Sequence, residues 1–385
     1  MKFAGTRHMP LQGQRSTLLE GPAHDEVEVT LFGPGKGESC LVHLGGGRWL
    51  IVDSCRDQTT KDVPALAYLK GIGVDIATQV ELIVATHAHD DHFAGIADIF
   101  QAASSATFIL SNALTGDEFF ALMDVDRIRQ QLNPPKLRVS AYEEYRRVNE
   151  IADARFQANG GIVPMRRATQ GLALLDINQQ GRNPAVSVWA LSPSEEATTR
   201  ALRKIANSLP LVGGGKNGST VDPNECSIAL RIHVGDISVL LGADLPVGPE
   251  GCGWKAVLAT SKPFKATLLK VPHHGSPTAH HPDVWGELLV NDPVALVAPF
   301  RAGRRPIPDS TDRARILRFT QHLYQTARTE LPASRNSVRR TAATLRDVAR
   351  NVREPWGQVG RITARRHVGA QEWAVTTAPP AHRVT

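Results

Sequence analysis

Two adjoining stretches decide how this chain folds, the apolar run Leu82-Ile83-Val84-Ala85 and the turn His87-Ala88-His89-Asp90-Asp91-His92 that follows it. A short, β-branched run between polar residues predicts a buried strand over residues 81–86, whose carboxyl end delivers His87 into a cleft. So many ionisable groups at a half-buried strand end are costly unless a cation neutralises them. Residues 87–92, here called the histidine turn, therefore predict a divalent metal site, with a solvated polar turn as the competing interpretation.

The chain also contains two similar units, residues 40–53 and residues 226–244. Each predicts a strand, a glycine-bearing turn, a second strand and a final aspartate. Each is followed by a candidate helix and by another strand that leads to histidine, at 81–86 in the first unit and at 266–271 in the second. The repeat predicts two stacked sheets whose shared edge brings together Asp53, His87, Asp244 and His273.

These motifs resemble those of the metallo-β-lactamase fold superfamily: an aspartate after a second strand, a His-x-His-x-Asp-His turn, a later aspartate and a histidine after a late strand. The resemblance implies an α/β fold, a four-layer αββα sandwich, in a hydrolase domain over residues 25–300. Around it the sequence predicts an irregular N-terminal arm at 1–24 and a helical insertion at about 111–220. An Arg-rich C-terminal extension at 301–385 follows, either separate or packed on the same domain.

The resemblance also implies a ligand set for two divalent ions, zinc first and manganese second: His87, His89, Asp91, His92, Asp244 and His273. Asp244 would bridge the two ions, and Asp53 would orient the histidine turn from behind. His274 competes with His273 for the last position. His273 is preferred because it comes first after the strand.

Finer features are similar to the hydrolase domain of ComEC-type DNA-uptake competence proteins, in the stretches Gly35–Ser39, Asn224–Leu230 and Leu268–Ser276. Many members of the superfamily carry another histidine before the bridging aspartate, but no histidine occurs here between Phe93 and Ile232. Asn224 and Ser227 occupy a polar stretch there instead, so the first metal site is predicted to be weak or completed by water or substrate. Cys226 beside them is interpreted as a buried small residue rather than a soft ligand.

The ligands predict a hydrolase that uses a metal-bound hydroxide, because two divalent ions lower the pKa of a trapped water and hold a substrate oxygen. Asp91 and His274 are the candidate catalytic residues. Asp91 is committed to metal rather than free as a base, and His274 could donate to a phosphoryl oxygen or to the leaving group. Asn224, Ser227 and Ser276 are candidate substrate-binding residues. No Gly-x-Ser-x-Gly elbow points to a protein nucleophile.

The competence-type motifs favour a phosphodiesterase or nuclease, with nucleic acid or another phosphodiester as substrate. A hydrolase of small carbonyl substrates, such as thioesters, lactones or β-lactam-like compounds, is the second candidate, because the superfamily resemblance covers these as well. A non-catalytic metal-binding partner protein is the third.

Charge bears on the choice of substrate. Residues 301–385 contain 17 Arg, no Lys and six acidic residues, a formal charge of +11 against +6 for the whole chain. Such a region attracts polyanions by releasing counterions from their phosphates. The competing interpretation is that these arginines line a solvated helix face with ion pairs.

The four cysteines form no Cys-x-x-Cys pair, which fits a reducing compartment. Neither a signal peptide nor a membrane span is predicted, so a soluble, cytoplasmic protein is expected. An insertion of this kind either covers the active site or decorates the fold, and decoration is preferred. The remaining predicted elements are helices at 117–132, 142–157, 310–327 and 334–350, a loop at 211–219, and a closing hairpin over 360–365 and 372–376.

Overall fold

The structure of the chain is a computed structural model that describes residues 20–34, 36–114, 141–179, 181, 183–208, 222–260, 264–301, 305–329 and 358–385. Several predicted segments lie outside the described residues: the N-terminal arm up to residue 19, the helices at 117–132 and 334–350, and the loop at 211–219. None of the described helices is long and apolar enough to cross a bilayer.

Two eight-stranded sheets form the centre of the fold. The strands of the first sheet are β1 (Glu26–Gly33), β2 (Ser39–His43), β3 (Trp49–Val52), β4 (Val80–Ala85), β5 (Thr107–Ser111), β6 (Met165–Ala168), β14 (Gly360–His367) and β15 (Ala374–Ala378). They lie in the order β15-β14-β1-β2-β3-β4-β5-β6. Strands β3 to β6 run parallel, so their carboxyl ends meet at one edge of the sheet.

The strands of the second sheet are β7 (Ala173–Ile177), β8 (Val186–Ala190), β9 (Leu230–Val234), β10 (Ile237–Leu241), β11 (Ala266–Lys270), β12 (Leu289–Val297), β13 (Leu323–Gln325) and β16 (His382–Arg383). They lie in the order β16-β13-β12-β11-β10-β9-β8-β7. Antiparallel hairpins β2–β3 and β9–β10 each lead into a parallel strand, β4 or β11. The predicted repeat of hairpin and strand is therefore confirmed.

The helices cover the outer faces of the two sheets. They are α1 (Pro64–Gly71), α2 (Ile76–Gln79), α3 (Asp90–Phe93), α4 (Ile96–Ala102), α5 (Ala141–Ala158), α6 (Glu195–Ser208), α7 (Gly253–Thr260), α8 (Pro282–Leu288) and α9 (Ser310–Ile316). Leu69 of α1, Phe100 of α4 and Val148 of α5 pack on the first sheet. Trp254 of α7 and Leu288 of α8 pack on the second. The predicted four-layer αββα sandwich of the metallo-β-lactamase type is confirmed.

The main core lies between the two sheets. Val27, Val29 and Leu31 alternate along β1 and face this layer, where they join residues of the second sheet such as Ile232 and Leu268. Period-two alternation of this kind is what a strand shows when one face meets a second sheet. Central strands are apolar on both faces because helices cover the other side. This packing fixes the sheet edge from which the loops emerge.

The last part of the chain contributes strands to both sheets. β14 pairs with β1 along its whole length, from Gly33 opposite Gly360 to Glu26 opposite His367. A side chain at Gly360 would overlap the carbonyl oxygen of Thr326, so the close approach requires glycine there. The predicted closing hairpin corresponds to β14 and β15. The domain boundaries of the sequence analysis stay predictions, and the stretch assigned to an insertion contributes α5, β6, β7, β8 and α6.

One predicted helix is wrong in its second half. The helix expected over 310–327 is α9, which begins after an Asp309 capping box and ends at Ile316. Leu323 and Gln325 are buried in β13 instead, where they pair in parallel with β12. A three-residue strand has too little sequence to show a pattern, and its conformation comes from the neighbouring strand.

Candidate metal centre

Loops from both sheets meet at one edge, and most of the predicted ligands lie there. The histidine turn follows β4, while Asp244 follows β10 and His274 follows β11. Asp244 Oδ2 lies 3.4 Å from His274 Nε2 and 3.5 Å from His92 Nε2. It lies 3.9 Å from His87 Nε2. Side chains from distant parts of the chain therefore converge on one carboxylate oxygen.

Asp91 joins this group from the first turn of α3. Its Oδ2 lies 3.5 Å from His274 Nε2 and 3.8 Å from His92 Nε2. Three sets of three side chains are close enough to hold a metal ion: His87 with His92 and Asp244, Asp91 with His92 and His274, and Glu38 with Asp53 and His92. The first two sets share His92 Nε2, which can bind only one ion. The third set lies on the Nδ1 side of His92, which faces Asp53 and Glu38.

Asp53 fixes the orientation of two of these histidines. Its Oδ1 accepts the backbone N–H of Thr86 at 2.8 Å, and its Oδ2 accepts the Thr86 hydroxyl at 2.7 Å and the Nδ1–H of His92 at 2.8 Å. Because the Thr86 hydroxyl hydrogen is used on Asp53, His87 Nδ1 is the donor to Thr86 Oγ1 at 3.0 Å. Both imidazoles therefore turn Nε2 toward Asp244, and Asp53 lies on their Nδ1 side, behind the histidine turn.

His274 points into the same cluster. Its Nδ1–H donates to the carbonyl oxygen of Ala298 at 2.9 Å, so Nε2 is the nitrogen that faces Asp91 and Asp244. The ring of Phe300 stacks on the imidazole with 5.3 Å between the ring centroids. Packing and hydrogen bonding together hold this side chain in a ligand orientation.

His274, rather than the His273 preferred from the sequence, belongs to a set of side chains that could hold a metal ion. His273 lies at the mouth of the cluster, with Nδ1 3.1 Å from Thr278 Oγ1 and Nε2 3.5 Å from Asn224 Nδ2. His273 and His274 have left-handed backbones, with φ of 48° and 54°. The chain reverses there, so the second histidine faces the sheet edge. This reversal is not evident in the sequence, because residues other than glycine rarely adopt positive φ.

Strained backbone is concentrated at this site. Six described residues other than glycine have positive φ, and four of them are Asp53 (57°), Ala243 (45°), His273 and His274. Each such residue costs roughly 1–3 kcal/mol and persists only where its surroundings determine the conformation. Backbone strain thus occurs at positions that orient the cluster.

A buried ion pair lies directly behind Asp244. Lys270 Nζ contacts Glu38 Oε1, and both side chains are almost wholly buried. Nζ also lies 3.8 Å from Asp244 Oδ1 and donates to the carbonyl oxygen of Ala243 at 3.0 Å. Glu38 Oε2 lies 3.6 Å from His274 Nδ1. The pair thus lies beside two side chains of the cluster, Asp244 and His274.

The electrostatics of the cluster favour a cation at its centre. Burial lowers the pKa of His92, but the carboxylates of Asp244 and Asp91 outweigh burial and hold that pKa well above its usual value. Burial raises the pKa of Asp244, yet His274 and His92 beside it hold the pKa of this carboxyl well below its usual range. Burial keeps the pKa of His87 well below normal. Asp244 is therefore held as a carboxylate, the form that can bind a cation.

The residues fit a divalent ion. With metal–ligand bonds of about 2.0–2.2 Å, neighbouring ligand atoms in a tetrahedral site lie about 3.3–3.6 Å apart. The separations around Asp244 Oδ2 are 3.4, 3.5 and 3.9 Å. His92 Nε2 is buried and has no hydrogen-bond partner among the described residues. A set of imidazoles and carboxylates suits zinc, manganese or iron.

The other predicted residues surround the cluster. His89 Nδ1 lies 3.1 Å from His87 Nε2, so the two nitrogens can share one ion. Asn224 is buried, and its Oδ1 lacks a hydrogen-bond partner within the described chain. Ser227 is completely buried, and the Ser276 hydroxyl is used within its own turn. The structure thus brings His89 to the cluster, while the Ser227 hydroxyl, like Asn224 Oδ1, has no hydrogen-bond partner among the described residues.

Cys226 has the structural role favoured by the sequence. It is buried beside Ala113 and Ala201, and burial raises the pKa of its thiol to about 12. The described cysteines are all buried and unpaired. A thiol of this kind is a small apolar residue rather than a metal ligand.

Four residues of the site are not predicted from the sequence: Thr86, Glu38, Lys270 and Phe300. One signal was available, because Lys270 interrupts the apolar run from Leu268 to Val271. A lysine in a buried strand is rare unless it is paired. Thr86, by contrast, carries no such signal.

Comparison with known proteins agrees with this geometry. Residues 33–146, less than a third of the chain, match the family model described as the Metallo-beta-lactamase superfamily. This match supports membership of the metallo-β-lactamase superfamily. The matched segment includes the histidine turn and Asp53, and it ends before Asp244. No curated protein matches the chain in sequence.

Three solved structures match parts of the chain at low sequence identity and low TM-score. The metallo-beta-lactamase fold protein YhfI from Bacillus subtilis is 16% identical, with a TM-score of 0.29 over 64% of this chain and 70% of that one. Zn²⁺-bound PqqB from Methylobacterium extorquens is 11% identical, with a TM-score of 0.30 over 60% of this chain and 58% of that one. A mutant of CmlA beta-hydroxylase is 14% identical, with a TM-score of 0.29 over 63% of this chain and 35% of that one.

Proposed function

We propose that this protein is a metal-dependent hydrolase that cleaves phosphodiesters, as a phosphodiesterase or nuclease. The observation that carries the proposal is the convergence, at the edge shared by the two sheets, of His87, Asp91, His92, Asp244 and His274. Divalent ions bound there would supply a water of lowered pKa and would hold a substrate oxygen while negative charge develops. Zinc is the first choice of metal and manganese the second.

We assign the ligands to two ions. The first would be held by His87 and His89, the second by Asp91, His92 and His274, and Asp244 would serve both. Because Asp91 and His274 face the metal position, neither is free to act as a general base or as a proton donor. The contribution of the chain is then to bind and orient, with Asp53 fixing the imidazoles from behind.

Two cationic residues in loops that adjoin the cluster, Lys36 and Arg301, support an anionic substrate. Phe300 stacks on His274, and Arg301, the next residue, donates to the carbonyl oxygen of Pro34 at 3.3 Å. The same loop carries the exposed Lys36. Cationic groups beside a metal centre raise the local concentration of anions such as phosphodiesters. The stretches similar to ComEC-type competence hydrolases favour the same substrate class.

The Arg-rich C-terminal region gives the proposal less support. Arg365 and Arg366 form ion pairs with Glu28 and Asp236, and Arg315 pairs with an aspartate of its own helix. Arg365 and Arg366 lie in β14 rather than on a helix face, so these ion pairs serve the fold. The argument for an anionic substrate therefore rests on the groups beside the cluster.

The test is a substrate screen with defined metal content. Protein freed of metal and then loaded with Zn²⁺ or Mn²⁺ is assayed on bis(4-nitrophenyl) phosphate, single- and double-stranded DNA, RNA, 4-nitrophenyl acetate and a simple lactone. We expect phosphodiester cleavage that falls at least about 100-fold in His87→Ala and Asp244→Ala, equivalent to about 2.7 kcal/mol of activation free energy. His233→Ala makes the same kind of change on β9, outside the metal-binding sets, and should retain activity.

Two outcomes would contradict the proposal and select an alternative. Salt-insensitive turnover of the neutral ester or lactone, without phosphodiester cleavage, would favour a hydrolase of small carbonyl substrates. Stoichiometric metal without turnover of any of these substrates would favour the non-catalytic metal-binding protein.

A further inference from the structure

We propose that Lys270 and Glu38 form a positioning pair that presents a single oxygen of Asp244 to the metal ions. The inference rests on the proposed metal binding and concerns residues that the proposed hydrolysis does not otherwise use. Lys270 is 2% exposed and Glu38 is 3% exposed, so neither can serve as a surface charge. Their contacts decide what they do.

Lys270 acts on Asp244 from two directions. The two oxygens of Asp244 face opposite neighbours: Oδ2 faces the histidines, while Oδ1 lies 3.8 Å from Lys270 Nζ and has no hydrogen-bond partner in the described part of the chain. Nζ also donates to the carbonyl oxygen of Ala243, which accepts the N–H of His273 at 2.9 Å as well. Lys270 thus faces the unused oxygen across an ion pair and is hydrogen-bonded to the strained residue just before Asp244.

Glu38 connects this arrangement to the other sheet. Lys270 ends β11 in the second sheet, whereas Glu38 lies just before β2 in the first. The backbone N–H of Glu38 donates to the carbonyl oxygen of Asp91 at 3.1 Å, and its Oε2 lies 3.6 Å from His274 Nδ1. The pair therefore links loops that carry ligands from both sheets.

Neither stability nor charge alone explains why the pair is there. Replacing a buried ion pair with apolar residues of similar size is often neutral or stabilising, because desolvation offsets the attraction. A lysine close to Asp244 also repels any cation that Asp244 binds. The benefit of Lys270 to a metal site must therefore come from the orientation it gives to Asp244.

The test uses a double variant that keeps the net charge constant. Lys270→Met/Glu38→Gln removes one positive and one negative charge, so a change in metal affinity reports orientation rather than total charge. The matched control is Arg365→Met/Glu28→Gln, which makes the same charge change at another ion pair, where Glu28 is 0% exposed and the Arg365 side chain is 23% exposed. Affinity for Zn²⁺ is measured by competition with a chromophoric chelator, and the ligand geometry by the visible spectrum of the Co²⁺-loaded protein.

We expect Lys270→Met/Glu38→Gln to bind Zn²⁺ at least about 10-fold more weakly, the lower end for the loss of an outer partner of a metal ligand. Its Co²⁺ spectrum should change, because Asp244 can then rotate or bind through both oxygens. The control pair should keep its affinity within about 2-fold and leave the spectrum unaltered. Thermal unfolding of each metal-free variant verifies that it is folded.

The outcomes separate this inference from the proposed function. If the wild-type protein binds neither Zn²⁺ nor Co²⁺, the proposed function is wrong and the inference falls with it. If the wild type binds both ions but Lys270→Met/Glu38→Gln matches its affinity and spectrum, only the inference is wrong. The same holds if the two double variants lose Zn²⁺ affinity to the same extent. Should the methionine variant fail to unfold cooperatively, Lys270→Gln/Glu38→Gln is measured against the same criteria.

Discussion

Replacing Asp53 with asparagine should test how the cluster is oriented. Asp53 accepts three hydrogen bonds, two from Thr86 and one from His92. Asparagine keeps the shape and the oxygen that accepts the Thr86 N–H, and it tolerates the φ of 57° at this position. Its amide nitrogen, however, is a donor at the position where Asp53 Oδ2 accepts two hydrogen bonds. The substitution therefore removes the acceptor with little other change.

The structure sets the size of the expected effect. His92 loses its Nδ1–H acceptor directly, and His87 loses its orientation through Thr86. Loss of one outer partner commonly weakens metal binding 10- to 100-fold. Because two ligands depend on Asp53, we expect about 100-fold weaker Zn²⁺ binding, or about 2.7 kcal/mol. Thr86→Val removes only the link to His87 among these ligands and should cost about 10-fold.

The assay is competition for Zn²⁺ against a chromophoric chelator at pH 7.5. Asp236→Asn serves as the control, because Asp236 is also an aspartate that accepts from an arginine and a backbone N–H, but it lies outside the cluster. Affinity in Asp53→Asn within about 3-fold of wild type would refute the reasoning. So would equal losses in Asp53→Asn and Asp236→Asn, since the effect would then not be specific to the site.

Of three further predictions, two concern the neighbourhood of the cluster and one concerns a buried histidine at the end of β2. His274→Gln should weaken Zn²⁺ binding at least about 100-fold in the same competition assay, whereas His273→Gln should change it less than about 3-fold; the reverse order would restore His273 as the ligand. Gly37→Ala should destabilise the protein to urea more than Gly73→Ala, because both have positive φ but only at Gly37 would a Cβ lie 2.7 Å from a carbonyl oxygen of the histidine turn. His43 is buried, and burial lowers its pKa to about 4. Because the unfolded chain binds this proton more tightly, stability should fall as pH falls from about 6.5 to about 4, by about 2 kcal/mol between pH 7 and 5. In metal-free urea titrations His43→Gln should lack this contribution, so the unfolding free energy of the wild type minus that of the variant should fall by about 2 kcal/mol from pH 7 to pH 5.

Short sequence patterns predict which strand ends approach each other at the site. The strand before His87 and the two hairpins that end at Asp53 and Asp244 appear as short patterns with glycine turns, and parallel strands bring their carboxyl ends to one edge. Proximity of these residues follows from topology. It does not require knowledge of individual side-chain contacts.

The rest of the site depends on contacts that no local pattern specifies. Whether His273 or His274 faces the cluster depends on the left-handed backbone of these two residues, and the surrounding packing determines that conformation. The contact between Glu38 and Lys270 joins residues of different sheets. Sequence marks Lys270 as unusual in an apolar strand but does not identify its partner.

Metal binding and the association of the two sheets should be coupled, because the ligands come from both. Asp91 extends from the first sheet and Asp244 from the second, and both face His92 and His274 in the same cluster. Without a cation these carboxylates repel each other across the sheet edge except where protons or Lys270 compensate. An ion that binds only the folded state adds RT ln(1 + [L]/Kd), about 4 kcal/mol at a free concentration 1,000 times Kd. That stabilisation requires ligands from both sheets at once. Replacing either Asp91 or Asp244 should therefore abolish most of the metal-dependent stabilisation rather than half of it.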